Sequence, residues 1–213
     1  MYQHSDGRHQ KQLPEGDELE KPEGAIAIAN AITTMRVLEK LNISSNKMAT
    51  KEVGKALAAA LAINSVLKEL NISNNNWKGD GVASDSNAWQ GNGAGFAKEL
   101  AVGLSTNGTL TSLNISSNNI GELLLPEGWS KKTNYQGEFK HYKHTDGRKQ
   151  EEAPEGSEPV GALALINAIK NNVALEKLDT SNNNIEQGEV LLELEIGCNT
   201  KGIELDSHKS GNN

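Results

Sequence analysis

The sequence predicts an α/β solenoid in which short parallel strands and amphipathic helices alternate along one axis. Three observations predict it: a strand-like motif that recurs four times, a helix-spaced pattern ahead of each copy, and a distance of 29 residues between two uninterrupted copies. Self-similarity at a period of roughly 20 to 50 residues marks stacked repeats, whose units bury their apolar faces on one another.

The copies are LEKLNISSNKM from Leu38, LKELNISNNNW from Leu67, LTSLNISSNNI from Leu110 and LEKLDTSNNNI from Leu175. All have the form LxxLxLxxNxL, with Thr180 replacing the third apolar residue once and Met48, Trp77, Ile120 and Ile185 closing the units. Alternation sends Leu41 and Ile43 to one face of a short strand, the core face, and Lys40, Asn42 and Ser44 to the other. Asn46, Asn75, Asn118 and Asn183 stand where the chain turns off the strand. A stacked side-chain amide there bonds backbone groups that the turn leaves unpaired.

Ahead of the strands the spacing becomes helical: Ile28, Ile32 and Met35; Leu57, Leu61 and Asn64; Leu100, Leu104 and Asn107; Leu165, Ile169 and Asn172. Apolar residues four apart in Ala-rich stretches such as GKALAAALAIN make an amphipathic helix with a narrow face. Pro22 and Pro159 precede two of these helices, where a missing N–H costs nothing.

These motifs resemble the leucine-rich repeat family, and specifically its long-repeat, ribonuclease-inhibitor-like branch. The resemblance covers most of residues 22–185. It implies a right-handed β-α superhelix with a concave parallel sheet and convex helices, and it implies no reaction.

Two insertions interrupt the 29-residue spacing, both after a strand and before the next helix: residues 78–93 and 121–159. The first, rich in Gly, Asn, Ser and Asp, reads as a loop. Asp85, Asn87 and Trp89 there lack the glycine and distal glutamate of a calcium loop. The second holds EFKHYKH, then Asp146-Gly147, then RKQEE, which predicts an inserted β-hairpin turning at Asp-Gly. Its candidate binding residues are Trp129, Tyr135, Phe139, Tyr142, His144 and Arg148. Its aromatics form either a partner-binding patch or the hairpin's own small core. His141 and His144 lie three apart on a predicted strand, on opposite faces, and no metal is assigned to them or to His4 and His9.

YQHSDGRHQKQLPEG from Tyr2 is a degraded copy of YKHTDGRKQEEAPEG from Tyr142, 140 residues later. Residues 1–21 are therefore read as a partial hairpin insertion or N-terminal cap, 22–185 as the solenoid, and 186–213 as a C-terminal cap and disordered tail. Within the tail, alternation over Val190, Leu192, Leu194 and Ile196 favours a strand, with an amphipathic helix as the alternative. Gly197 to Gly202 read as a turn.

In such a solenoid the outward strand positions form a second candidate surface. From the first two strands come Lys40, Asn42, Ser44, Glu69, Asn71 and Ser73; from the other two come Ser112, Asn114, Ser116, Lys177, Asp179 and Ser181. This face is small, polar and nearly neutral. Asn42, Asn71 and Asn114 also sit in Asn-Ile-Ser sequons, but they belong to the repeat pattern.

The chain of 213 residues carries a net charge of −7, which disfavours nucleic acid and anionic membrane surfaces. Its single cysteine, Cys198, makes no internal disulfide, and a soluble cytoplasmic protein is expected. No nucleophile, phosphate or metal motif of an enzyme is present, and no cofactor is expected. The expected function is a non-catalytic protein-protein interaction scaffold, acting through the concave sheet, the rim hairpin or both. Regulation of an enzyme (a GTPase activator, a nuclease inhibitor or an immune sensor, by resemblance) and a fragment of a larger repeat protein are the alternatives. Open sheet edges at both ends allow head-to-tail self-association.

Overall fold

Five three-residue strands stand side by side in the computed structural model, which describes residues 2–3, 9–10, 23–75, 92–133, 139–185 and 188–207. The chain runs β1 (Tyr2–Gln3), β2 (His9–Gln10), α1 (Glu23–Ile32), β3 (Lys40–Asn42), α2 (Lys51–Ile63), β4 (Glu69–Asn71), α3 (Asn92–Thr106) and β5 (Ser112–Asn114). It continues with β6 (Trp129–Thr133), β7 (Phe139–His144), β8 (Lys149–Gln150), α4 (Val160–Asn171), β9 (Lys177–Asp179), α5 (Glu189–Lys201) and β10 (Glu204–Asp206). The parallel sheet has the order β10-β9-β5-β4-β3, and its register sets Leu41, Leu70, Leu113, Leu178 and Leu205 in one row. Leu70, Leu113 and Leu178 are buried in that row, while Leu41 and Leu205 at the open edges are only partly covered.

Behind the sheet, Leu57, Leu61, Leu100, Leu104, Leu165 and Ile169 bury the helical faces as their spacing predicts. Glycines let the helices approach closely. A Cβ on Gly103 of α3 would stand 2.3 Å from the carbonyl oxygen of Ala58 in α2, and one on Gly54 2.5 Å from that of Phe96. Helix α2 opens on Thr50, whose hydroxyl accepts the Val53 N–H at 3.3 Å.

Of the predicted turn asparagines, Asn75, Asn118 and Asn183 are buried and join one unit to the next, while Asn46 at the first turn is exposed. Asn118 Oδ1 accepts the N–H of Asn75 at 2.8 Å, and its Nδ2 donates to the carbonyls of Ile72 and Ile115, both at 2.9 Å. Asn183 repeats this with the N–H of Asn118 at 2.7 Å. A second row closes the helices: Asn64, Asn107 and Asn172 each donate backward, Asn107 to Leu61 O at 2.7 Å. The tight turn between strand and helix puts Ser45, Asn74, Ser117 and Asn182 at positive φ, a conformation that short polar side chains tolerate.

Three expectations are corrected. On α1 the buried residues are Ala29 and Ile32, while Ile28 is 40% exposed, because among the described residues this first helix packs on α2 alone. Residues 189–201 form a helix and 204–206 a fifth parallel strand, so the solenoid runs past Ile185 and the expected strand, turn and disordered tail do not occur over 189–206. The alternation misled because α5 is weakly amphipathic: Leu194 and Cys198 are buried, while Leu192 and Ile196 stay exposed. Residues 208–213 lie outside the described residues.

The third correction concerns the insertion. It forms a three-stranded antiparallel sheet β6-β7-β8, in which β7 pairs mainly with β6 and only briefly with β8. Only Gly147 takes a positive φ at the β7–β8 turn, so Asp146 does not, and a four-residue connection replaces the tight two-residue turn. The feet of the insertion are tied by an antiparallel bridge between Leu124 and Glu158. The N-terminal copy pairs Tyr2 with Gln10 and Gln3 with His9, the register by which Tyr142 meets Gln150 and Lys143 meets Lys149. The first insertion at 78–93 lies outside the described residues, apart from the start of α3.

Asn118→Ala is expected to cost about 3 kcal/mol or more in urea unfolding, since three buried backbone groups lose their partner. Asn46→Ala at the exposed first turn is expected to cost about 1 kcal/mol. Gly103→Ala should destabilise by about 1–3 kcal/mol through overpacking, while Gly24→Ala in α1, where a Cβ meets open space, should stabilise by up to about 1 kcal/mol.

Candidate functional site

The concave ladder is engaged with itself. Each Asx carbonyl or carboxylate oxygen accepts the backbone N–H two residues on: Asn42 from Ser44, Asn71 from Ser73, Asn114 from Ser116 and Asp179 from Ser181, all at 3.0 Å. Asn114 Nδ2 also donates to Asp179 at 2.8 Å. Charged residues pair across strands, Lys40 with Glu69 at 2.8 Å and Lys177 with Glu204 at 3.1 Å, and Ser112 stands between Glu69 and Lys177 in register. Just outside this row Lys68 meets Glu39 at 2.7 Å, and the ammonium lowers the Glu39 pKa through that hydrogen bond. Lys40 is raised in turn by its hydrogen bond to Glu69. Glu204 and Asp206 of β10 extend the ladder and make its last rung acidic; alternation in the tail concealed them, although GIELD repeats the apolar spacing of a strand.

The rim sheet brings together most of the other candidates. Trp129 and His144 face each other across β6 and β7 with ring centroids 5.2 Å apart, and the Arg148 guanidinium lies 5.6 Å from the Trp129 ring. Phe139 and Tyr142 lie with ring centroids 5.0 Å apart, tilted by 51°, with Lys131 Nζ 6.0 Å from the Phe139 ring. Tyr142 is buried and Phe139 is 45% exposed, so the insertion's aromatics are divided between core and surface. Tyr135 lies outside the described residues, as do Asp85, Asn87, Trp89 and His4.

Asp146 organises the loop. Its carboxylate accepts the Arg148 backbone N–H at 3.0 Å and Arg148 Nε at 2.7 Å, and Oδ1 lies 2.9 Å from His144 Nδ1. These bonds, the backbone one first, hold its pKa at about 2 against an ordinary 3.8. Gly128, at φ 82°, passes so close beneath His144 that a Cβ would stand 2.4 Å from Nε2.

Between this sheet and the solenoid opens a cleft of about 550 Å³. Leu123, Leu125, Tyr142 and Val190 form its apolar walls, and Glu122, Glu151 and Glu189 line it opposite Lys131. Among the described residues no three His, Cys, Asp or Glu side chains gather as a metal site. Cys198 is buried and its thiol is pushed up to about 11 by desolvation, far from a reactive thiolate. No helix of the described residues is long and apolar enough to cross a membrane.

Because the Asp146 pKa is depressed on folding, the contribution of its bonds is complete above pH 4 and is lost as pH falls from about 4 to about 2. Chemical shifts of the Arg148 amide and the Trp129 indole are expected to titrate with a midpoint near pH 2, and Asp146→Asn should abolish the transition.

A family model described as Leucine Rich Repeat matches residues 109–131, across β5 and the turn that follows it. No curated protein sequence matches the chain at a significant level. Among solved structures, "Leiomodin-1 Actin-Binding Site 2 (ABS2)" aligns at 17% identity over 89% of this chain and 80% of that one, with a TM-score of 0.50. The tropomodulin C-terminal domain of Caenorhabditis elegans aligns at 15% identity over 89% and 83%, with a TM-score of 0.49. With its fourfold LxxLxLxxNxL motif now seen as one parallel sheet backed by helices, the chain has a leucine-rich repeat fold, one unit of which the family model matches.

Proposed function

We propose that this protein is a non-catalytic interaction scaffold whose protein partner meets the rim sheet, with the concave ladder as flanking surface. The carrying observation is that the hot-spot residue types are gathered on the insertion: Trp129 and Arg148 in contact, with Phe139 and Leu124 45% and 50% exposed nearby. The ladder, by contrast, spends its polar groups on its own turns and cross-strand pairs. The matched leiomodin-1 segment is an actin-binding site, which supports a protein as the class of ligand here. The 29-residue spacing supports the long-repeat, ribonuclease-inhibitor-like branch, and parallel β-α-β connections support a right-handed superhelix. A buried thiol that needs no disulfide supports a cytoplasmic setting.

Recovery of partners from native extract tests this reading. A Trp129→Ala, Phe139→Ala, Arg148→Glu variant is expected to lose the proteins that the wild-type chain retains; an unchanged set would refute the rim as the contact surface.

A second reading, end-to-end self-association, is favoured by the two terminal strands. The outer edge of β3 carries Lys40 and that of β10 carries Glu204, so a neighbouring copy would continue the Lys–Glu alternation of the ladder. Light scattering over a concentration series should show growing mass if this holds, and a constant monomer mass would exclude it.

A further inference from the structure

The register of the rim sheet sorts its residues onto two faces. Tyr142 is buried toward the solenoid, and Lys131, opposite it, lines the same cleft. Alternation therefore places His141 and Lys143 on the outer face, together with their cross-strand neighbours Ser130, Lys132 and Lys149. On that face Lys143 stands directly opposite Lys149, and Lys132 directly opposite His141.

Like charges directly opposite each other destabilise a sheet, and elsewhere the lysines of the parallel sheet stand beside glutamates, although Asp179 and Asp206 do face each other at its edge. In the parallel sheet Lys40 meets Glu69 and Lys177 meets Glu204, and beside it Lys68 meets Glu39. Lys143 and Lys149 are exposed and form no ion pair with a described residue. The chain has 28 carboxylates against 21 Lys and Arg, so the lack of an acidic partner for Lys143 and Lys149 among the described residues is not one of supply.

The fold does not require these lysines either. The N-terminal hairpin has the same register with Gln3 opposite His9 where the later copy has Lys143 opposite Lys149. The His141 imidazole, depressed by desolvation and then by Lys149, Lys140, Lys143 and Lys132, reports the resulting positive field.

We propose that the outer face of the three-stranded rim sheet is a docking surface for an acidic protein segment, whose Asp and Glu side chains supply the carboxylates that Lys143 and Lys149 lack. This rests on the scaffold reading above and adds to it a second contact, on the face of the rim sheet opposite Trp129. Polyphosphate partners fit less well. Stacking of nucleic-acid bases needs aromatic rings on the binding face, and Trp129 and Tyr142 belong to the opposite one, while the net charge of −7 repels a nucleic acid at longer range.

The test is fluorescence anisotropy with a labelled decaglutamate peptide at low ionic strength. Lys143→Gln combined with Lys149→His, which rewrites the later hairpin as the earlier one, is expected to weaken binding about five- to tenfold. Lys40→Gln combined with Lys177→Gln removes two lysines from the concave ladder and should change binding less than about twofold. With peptide bound, the His141 ring should titrate at higher pH.

No peptide binding, equal binding by the rim variant, equal loss in both variants, or tighter binding of a single-stranded oligonucleotide of the same length would each overturn the proposal. If the Trp129, Phe139 and Arg148 variant loses its native partners while the peptide fails to bind, the scaffold reading stands and this inference alone falls.

Discussion

The stacked asparagine at the turn after each strand is the interaction on which the rest depends. Its amide satisfies one N–H and one carbonyl of the preceding unit and a carbonyl of its own. Because all three groups are buried, any slip of one unit against the next would strand them without water. Strand register, the row of leucines and the left-handed turn residues all follow from that constraint. The second row, at the helix ends, applies the same condition on the other side of the strand, so the units of β4, β5 and β9 are each stitched at two points.

Most of the scaffold was legible in the residues because stacking forces repetition. Leu41, Leu70, Leu113 and Leu178 had to share a register once their motifs were aligned, and the asparagines had to face one another. The failures came where repetition ends. Ile28 follows the helical spacing yet stays exposed, since burial on α1 depends on a neighbour that packs from one side only. The α5–β10 unit lacks the closing asparagines; Gly202, at φ 70°, ends its helix and leaves a much shorter connection to the strand. In the insertion, WSKKT carries almost no apolar alternation, so β6 was invisible until its pairing with β7 was seen.

The candidate site was less legible still, because it arises from pairing across strands that the sequence does not announce. Trp129 and His144 are 15 residues apart and meet only through the β6–β7 register. The two sheets also treat their lysines in opposite ways. The parallel sheet neutralises each lysine with a glutamate one repeat away, a pattern that stacking imposes, whereas the antiparallel sheet sets lysines against one another. Composition alone averages these into a mildly acidic protein.

Thr180, the one polar residue at an otherwise apolar strand position, is where the last unit attaches. Its N–H reaches Asp206 O at 2.7 Å and its hydroxyl the same oxygen at 3.3 Å, so β10 is held by a hydroxyl where the inner strands present an isoleucine. The remaining ties of that unit include ion pairs open to solvent, Lys177 with Glu204 and Lys170 with Glu193 at 3.7 Å. Weakly stitched ends open first. Fraying would therefore begin at α5 and β10, and it would uncover the β9 edge with its row of leucines behind it. The α5–β10 unit serves as a guard strand: while it stays docked, β9 is covered, and its loss would offer that inner strand as a template to another chain.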